Sequence, residues 1–186
     1  MDAPGGGLAE SFLPGGEGGP GQGGGGPGGD GMSPPRRGTL FTLGTSTRTL
    51  EEFIEVLRAW GIAVVCDVRS FPTSRRYPYF SRENLSVALP EAGIRYHWLG
   101  ELLGGYRKGG YPAYMETPSF EEGLRQLEEM ASSAPTAVVC AELLPWKCHR
   151  RFIAARMGER GWKVVHVRDA GGKWDWPPSP PVRDLS

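Results

Sequence analysis

From Thr39 onward, short apolar runs alternate with stretches whose apolar residues recur at helical spacing, so strands and helices are read in turn. Leu40-Phe41-Thr42-Leu43 is an apolar run ending at Gly44 and reads as a first strand. Thr49 is placed as a helix N-cap, with Glu51 and Glu52 in the first turn and Leu50, Phe53, Ile54 and Leu57 on one face; Gly61 stops that helix. Ile62-Ala63-Val64-Val65-Cys66 is continuously apolar, as buried parallel strands are. After a long irregular stretch, Ser81 caps a helix carrying Leu85, Ala88 and Leu89 that closes near Gly93, and Ile94 to Trp98 reads as a third strand. Residues 100–117 read as a glycine- and tyrosine-rich loop. Thr117-Pro118 opens a helix bearing Leu124, Leu127 and Met130. Thr136 to Cys140 is a fourth strand, a helix is expected from about Pro145 to Glu159, and Lys163 to Val167 is a fifth strand.

This alternation predicts a single α/β domain: a doubly wound, mostly parallel five-stranded sheet with helices on both faces. Composition sets its limits. Sixteen of the 29 glycines lie in residues 1–38, together with six prolines and few apolar side chains, so that segment is expected to be a disordered tail. The folded part is expected over 39–168, followed by a Trp- and Pro-rich tail over 169–186. The remaining length suffices for one core and not for two domains.

The chain as a whole has zero formal net charge; residues 39–186 carry 19 basic and 17 acidic groups. A balance of about +2 does not by itself announce a nucleic-acid partner. Only four of the basic residues are lysines; arginine suits bidentate contact with phosphate or carboxylate, although base composition explains the same bias. Three cysteines and no signal peptide point to reduced thiols and a cytoplasmic protein, and no apolar run reaches the roughly 20 residues of a membrane span.

In such sheets ligands bind beyond the carboxyl ends of the strands. Gly44, Thr45, Ser46, Thr47 and Arg48 follow the first strand; Asp67, Arg69, Ser70, Phe71 and Pro72 follow the second; Ala141 and Glu142 follow the fourth. Between Asp67 and Glu83 stand Arg69, Arg75, Arg76 and Arg82 with no acid, interleaved with Phe71, Tyr77, Tyr79 and Phe80. Cations with flat rings suit phosphate and base stacking; solvated arginines on an aromatic-anchored loop are the alternative. Asp67 is either a base or ligand, or a partner for Arg69 or a backbone amide. Arg107 and Lys108 lie in the Gly104–Gly110 loop, which does not match a phosphate loop. No cofactor motif is found.

The densest cluster runs from Cys140 through Glu142 and Trp146 to Cys148-His149-Arg150-Arg151. A helix beginning at Pro145 puts Cys148 and its neighbours near the first turn, where an anion or a thiolate is favoured. Three readings stay open. Cys148 is a nucleophile with His149 or Glu142 handling protons, or Cys140, Cys148 and His149 hold a metal, or the cysteines pack the core while Glu142, Arg150 and Arg151 do the polar work. A phosphatase- or rhodanese-type loop needs an arginine wrapped back on the cysteine, which the expected helix precludes. The spacing of Cys140 and Cys148 matches no common zinc pattern, so no metal is expected. His97 and His166 fall inside strands and read as core or edge residues.

Thr42-Leu43-Gly44-x-Ser46, Asp67-Val68-Arg69-Ser70-Phe71-Pro72-x-Ser74-Arg75, Tyr114-Met115 and Cys140-Ala141-Glu142…Trp146-x-Cys148-His149-Arg150 together resemble the domain of unknown function DUF488, over about residues 39–168. The resemblance implies an α/β domain with no settled activity. It carries over to Gly44, Ser46, Asp67, Arg69, Ser70, Arg75, Tyr114, Cys140, Glu142, Cys148, His149 and Arg150. Thr45 stands where similar chains often have histidine, and Leu143 and Leu144 replace polar residues expected before the proline. The function read from these residues is an anion site for a nucleotide or nucleic-acid phosphate, built by Arg69, Arg75, Arg76, Arg107 and Arg150 with Gly44, Ser46 and Ser70, and with Glu142 as an acid–base or specificity group. A thiol enzyme on Cys148 and an adaptor using Trp174 and Trp176 are the alternatives.

Overall fold

The computed structural model describes residues 37–177; the expectations for 1–36 and for 178–186 lie outside the described residues. Six strands form one sheet in the order β3-β2-β4-β1-β5-β6. They are β1 (Thr39–Gly44), β2 (Val64–Asp67), β3 (Arg95–Trp98), β4 (Thr136–Cys140), β5 (Lys163–Val167) and β6 (Lys173–Trp174). The first five are parallel, and β6 pairs antiparallel with β5. The expected α/β architecture is therefore present with one strand more than the five read from sequence. The addition is a two-residue strand inside the Trp/Pro-rich end, too short to leave a period.

Helix α1 (Leu50–Ala59) starts at a reciprocal cap. The Thr49 hydroxyl accepts the Glu52 N–H at 3.1 Å, and the Glu52 carboxylate accepts the Thr49 N–H at 2.8 Å. Ser81 caps α2 (Arg82–Glu91), and Thr117 caps α5 (Pro118–Ser133). Alternation along the strands divides the core. Leu43, Val65, Ala137, Val139 and Val165 face α1 and α2 through Phe53, Leu57, Leu85 and Leu89. Leu40, Cys66, Val138 and Cys140 face the other layer, where Phe120, Leu124 and Leu127 of α5 meet Ile153 and Met157 of α6 (Arg150–Glu159).

Two expectations need correction. Residues 100–117 are not a plain loop: they contain the short helices α3 (Gly100–Leu103) and α4 (Tyr111–Tyr114). These single turns are held by tertiary contacts, since the Tyr111 and Tyr114 hydroxyls donate to the Leu103 and Leu102 carbonyls at 2.9 and 2.6 Å. Nor does one helix run from Pro145. Residues Pro145–Lys147 form a separate 3-10 turn, Cys148 is extended (φ −120°, ψ 150°), and α6 begins only at Arg150. The Cys148 sulfur accepts the Arg150 N–H at 3.4 Å, which satisfies one of the helix's otherwise unpaired first-turn donors.

No helix among the described residues is long and apolar enough to cross a membrane.

Candidate functional site

The strands on either side of β4 send their chains to one face of the sheet, whereas β4 sends its chain to α6 on the other face. The loops therefore part around the end of β4 and leave a crevice, as at the switch points of open α/β sheets. A cavity of about 350 Å³ lies there, lined among others by Ser46, Arg69, Thr73, Tyr77 and Glu142. Its floor is the closely joined exits of β1 and β4. The Thr45 and Ser46 N–H groups donate to the Cys140 and Ala141 carbonyls at 2.8 and 3.0 Å. A Cβ on Gly44 would collide with the Glu142 carbonyl, so only glycine lets the two loops touch. Ser46 sits at φ 50° as it turns into the cavity wall.

Arg69 and Asp67 form a buried pair beneath this cavity. Asp67 Oδ1 accepts the Arg69 backbone N–H at 3.1 Å and its Nε at 2.9 Å, and Oδ2 accepts Nη2 at 2.6 Å. The Tyr96 hydroxyl donates to the same Oδ2 at 2.7 Å. Burial and the neighbouring Asp67 charge push the Tyr96 phenol up, so it stays a donor. Burial opposes the charge of Arg69, but the hydrogen bonds to Asp67 outweigh it and raise its pKa. Arg69 Nη1 makes no hydrogen bond among the described residues and is the part of this guanidinium available to a ligand.

Behind the cavity, on the α5/α6 side of the sheet, stand Cys140, Cys148, His149 and Arg150. Arg150 is 1% exposed. Its Nη2 donates to the Glu142 carbonyl at 2.5 Å and to the Leu143 carbonyl at 3.4 Å; its Nε approaches Cys148 Sγ at 3.4 Å. The expectation that a helix would keep the arginine from wrapping onto the cysteine is thus corrected: the chain is extended at Cys148, and Arg150 reaches its sulfur through both main chain and side chain. His149 Nδ1 lies 3.6 Å from that sulfur. Hydrogen bonding from the Cys140 thiol, aided by His149 and Arg150, holds the Cys148 thiol well below the usual range despite burial, while Cys140 is pushed up.

The remaining candidates are distributed around this centre. Ser70 accepts the Tyr106 N–H at 3.1 Å and anchors the glycine-rich loop rather than lining the cavity. Arg107 is spent on that loop, donating to the Gly104 and Glu101 carbonyls at 2.9 and 2.6 Å and lying 3.8 Å over the Tyr114 ring. Arg75 and Arg76 are exposed beyond the cavity wall. No sequence motif marks Thr73, and Tyr96 leaves a trace only as an alternate position on a strand beside Asp67.

His97 is exposed on β3. His166 is buried, bonded to the Thr42 hydroxyl at 2.7 Å and covered by Trp176. Burial, with the Arg150 charge, pushes His166 down to about 4 from 6.5. Below 6.5 the unfolded chain takes up a proton that the folded one refuses, so His166 costs stability progressively as pH falls from 6.5 to 4, by about 3 kcal/mol in all. His166→Gln should lack that component when denaturant midpoints are compared across this window. Equal pH slopes for the two proteins would refute it.

Trp174 packs edge-on against Trp146 at 5.4 Å between centroids, so the Trp-rich end proposed as an adaptor motif is seated on its own domain. No curated protein and no solved structure matches the chain. The family model described as "Domain of unknown function DUF488" matches residues 49–157, from the cap of α1 to the last turns of α6 and across both cysteine-bearing segments. With more than half its length matched, the chain belongs to the DUF488 family.

Proposed function

We propose that the crevice at the end of β4 binds a nucleotide or a nucleic-acid phosphate. The observation that carries this reading is that Ser46, Arg69 and Glu142, from three separate motifs, line one cavity. Its volume of about 350 Å³ suits a single nucleotide rather than a bare anion. The hydroxyls of Ser46 and Thr73 and the open Nη1 of Arg69 supply donors for phosphate oxygens; Phe71 and Tyr77 supply flat surfaces for a base. Glu142, exposed at the rim, is an acceptor for sugar hydroxyls or exocyclic amines. Arg75 and Arg76, just outside, extend the cationic track for a longer strand.

Titration of the full chain with mononucleotides and with short single- and double-stranded DNA and RNA, at two salt concentrations, tests this. Salt-sensitive binding weakened about tenfold or more by Arg69→Lys and by Ser46→Ala is expected. Absence of salt-sensitive binding, or binding indifferent to both variants, overturns it.

One observation favours a second reading, a thiol-dependent enzyme: the backbone N–H and the Nε of Arg150 converge on Cys148 Sγ. That reading requires iodoacetamide to label Cys148 well below the ordinary thiol pKa of about 8.5. Sluggish labelling at neutral pH would remove it.

A further inference from the structure

The sequence spacing of Cys140 and Cys148 gave no metal pattern, yet the fold brings both sulfurs to one place with an imidazole between chain segments. Cys140 ends β4 on the α5/α6 face, and the turn at Pro145–Lys147 returns the chain so that Cys148 and His149 lie beside it. Cys140 Sγ, Cys148 Sγ and a ring nitrogen of His149 all lie within 4.8 Å of one another. We infer that Cys140, Cys148 and His149 form a three-ligand site for a thiophilic metal ion of the zinc type, with a fourth coordination position left to a non-protein ligand.

Three features carry this beyond proximity. The first is size. Tetrahedral zinc with bonds of about 2.3 Å to sulfur and about 2.0 Å to nitrogen sets its donor atoms roughly 3.5–3.8 Å apart. Cys148 Sγ and His149 Nδ1 stand 3.6 Å apart, and the whole triangle closes within 4.8 Å. The widest gap thus exceeds the tetrahedral spacing by about 1 Å at most.

The second feature is the imidazole's outer partner. His149 Nε2 lies 3.0 Å from the Val68 carbonyl, which can only accept, so Nε2 carries a proton and donates. In the neutral ring, the lone pair then sits on Nδ1, the atom that faces the sulfur. A histidine that donates its far N–H to a carbonyl and offers its near nitrogen inward is the arrangement found around bound metals. The ring is held there from outside as well. A Cβ on Gly105 would come within 2.6 Å of Nδ1, so the glycine-rich loop lies directly against it.

The third feature is charge. Two thiolates in a nearly closed setting need compensation; Cys140 and Cys148 are 9% and 6% exposed. Arg150 directs its backbone N–H and its Nε at Cys148 Sγ, each at 3.4 Å. Such N–H···S contacts stabilise a metal-bound thiolate without taking the lone pair the metal uses. Cys66 is also buried but lies outside the cluster and serves as an internal control.

This site does not depend on the nucleotide crevice, and its test reads the metal alone. The full chain, reduced and stripped of metal with a chelator, is titrated with Co²⁺. One equivalent should produce a sulfur-to-cobalt charge-transfer band together with the intense visible bands of tetrahedral cobalt, and Zn²⁺ should displace them. Cys140→Ser, Cys148→Ser and His149→Gln should each weaken Co²⁺ binding by about tenfold or more, whereas Cys66→Ser should leave the spectrum unchanged. Because the ligand variants could perturb folding, Gly105→Ala provides a second measurement: it retains all three ligands, displaces the imidazole, and should weaken binding in a protein whose circular dichroism is unaltered. Absence of the charge-transfer band in the reduced chain overturns the inference. So does a band that survives both cysteine substitutions.

Discussion

Asp67→Ala is expected to cost the folded protein roughly 3–5 kcal/mol, because it strands the Arg69 guanidinium in a site that is 92% closed to solvent. Asp67 itself is fully buried and satisfies three donors on Arg69 as well as the Tyr96 hydroxyl. Its loss therefore removes the partner of a buried charge, which is far worse than removing a whole pair. The sharper form of the prediction is the comparison. Asp67→Ala combined with Arg69→Met should be less destabilised than Asp67→Ala alone, since no charge is then left unpaired. Urea denaturation of the single and double variants decides it; a double variant weaker than the single would show that the hydrogen bonds, rather than the unpaired charge, dominate.

Arg150→Met should be the other large loss, about 2–4 kcal/mol, from two part-buried carbonyl acceptors stripped of the buried charged donor that serves them. Methionine keeps much of the side chain's length and apolar bulk, so the effect reports the polar bonds to the Glu142 and Leu143 carbonyls together with the contact to Cys148 Sγ. Those bonds shape the stretch that carries Glu142 to the cavity rim. On the proposed reading of the crevice, nucleotide affinity should fall in the same variant even though Arg150 does not line the cavity. Arg150→Lys should recover little, because one ammonium cannot serve two carbonyls and a sulfur with the geometry of the guanidinium. A loss below about 1 kcal/mol would mean that water replaces the arginine there.

How far the chain's own pattern reaches can be seen from these residues. The strands β1, β4 and β5 are legible because they are apolar runs bounded by turn residues, and the caps at Thr49, Ser81 and Thr117 because each is a hydroxyl placed just before a helical period. The pairing of Asp67 with Arg69 is half legible: their spacing admits it, but only the closed setting supplied by β2, β3 and β4 makes it strong. Helices α3 and α4 leave no period, being single turns held by two tyrosine hydroxyls on distant carbonyls. The convergence of Cys140, Cys148 and His149 is not local at all. It depends on a 3-10 turn where Pro145 invites a longer helix, and on an extended Cys148 that no propensity foretells. Arginine counts point to the right loops but overstate the free charge, since Arg107 and Arg150 are committed to backbone carbonyls.

The sheet's two margins also bear on how the protein behaves in a crowd. An open strand edge is a template for the next molecule, and short, charged or covered edges discourage that. Here one margin is β3, four residues long with Arg95 and His97 exposed; the other is β6, two residues followed closely by Pro177. Removing the chain from Lys173 onward would bare the longer, more apolar β5, together with the rings of Trp146 and His166 that Trp174 and Trp176 now cover. The two-residue β6 thus leaves a short margin of the kind that discourages edge-to-edge pairing.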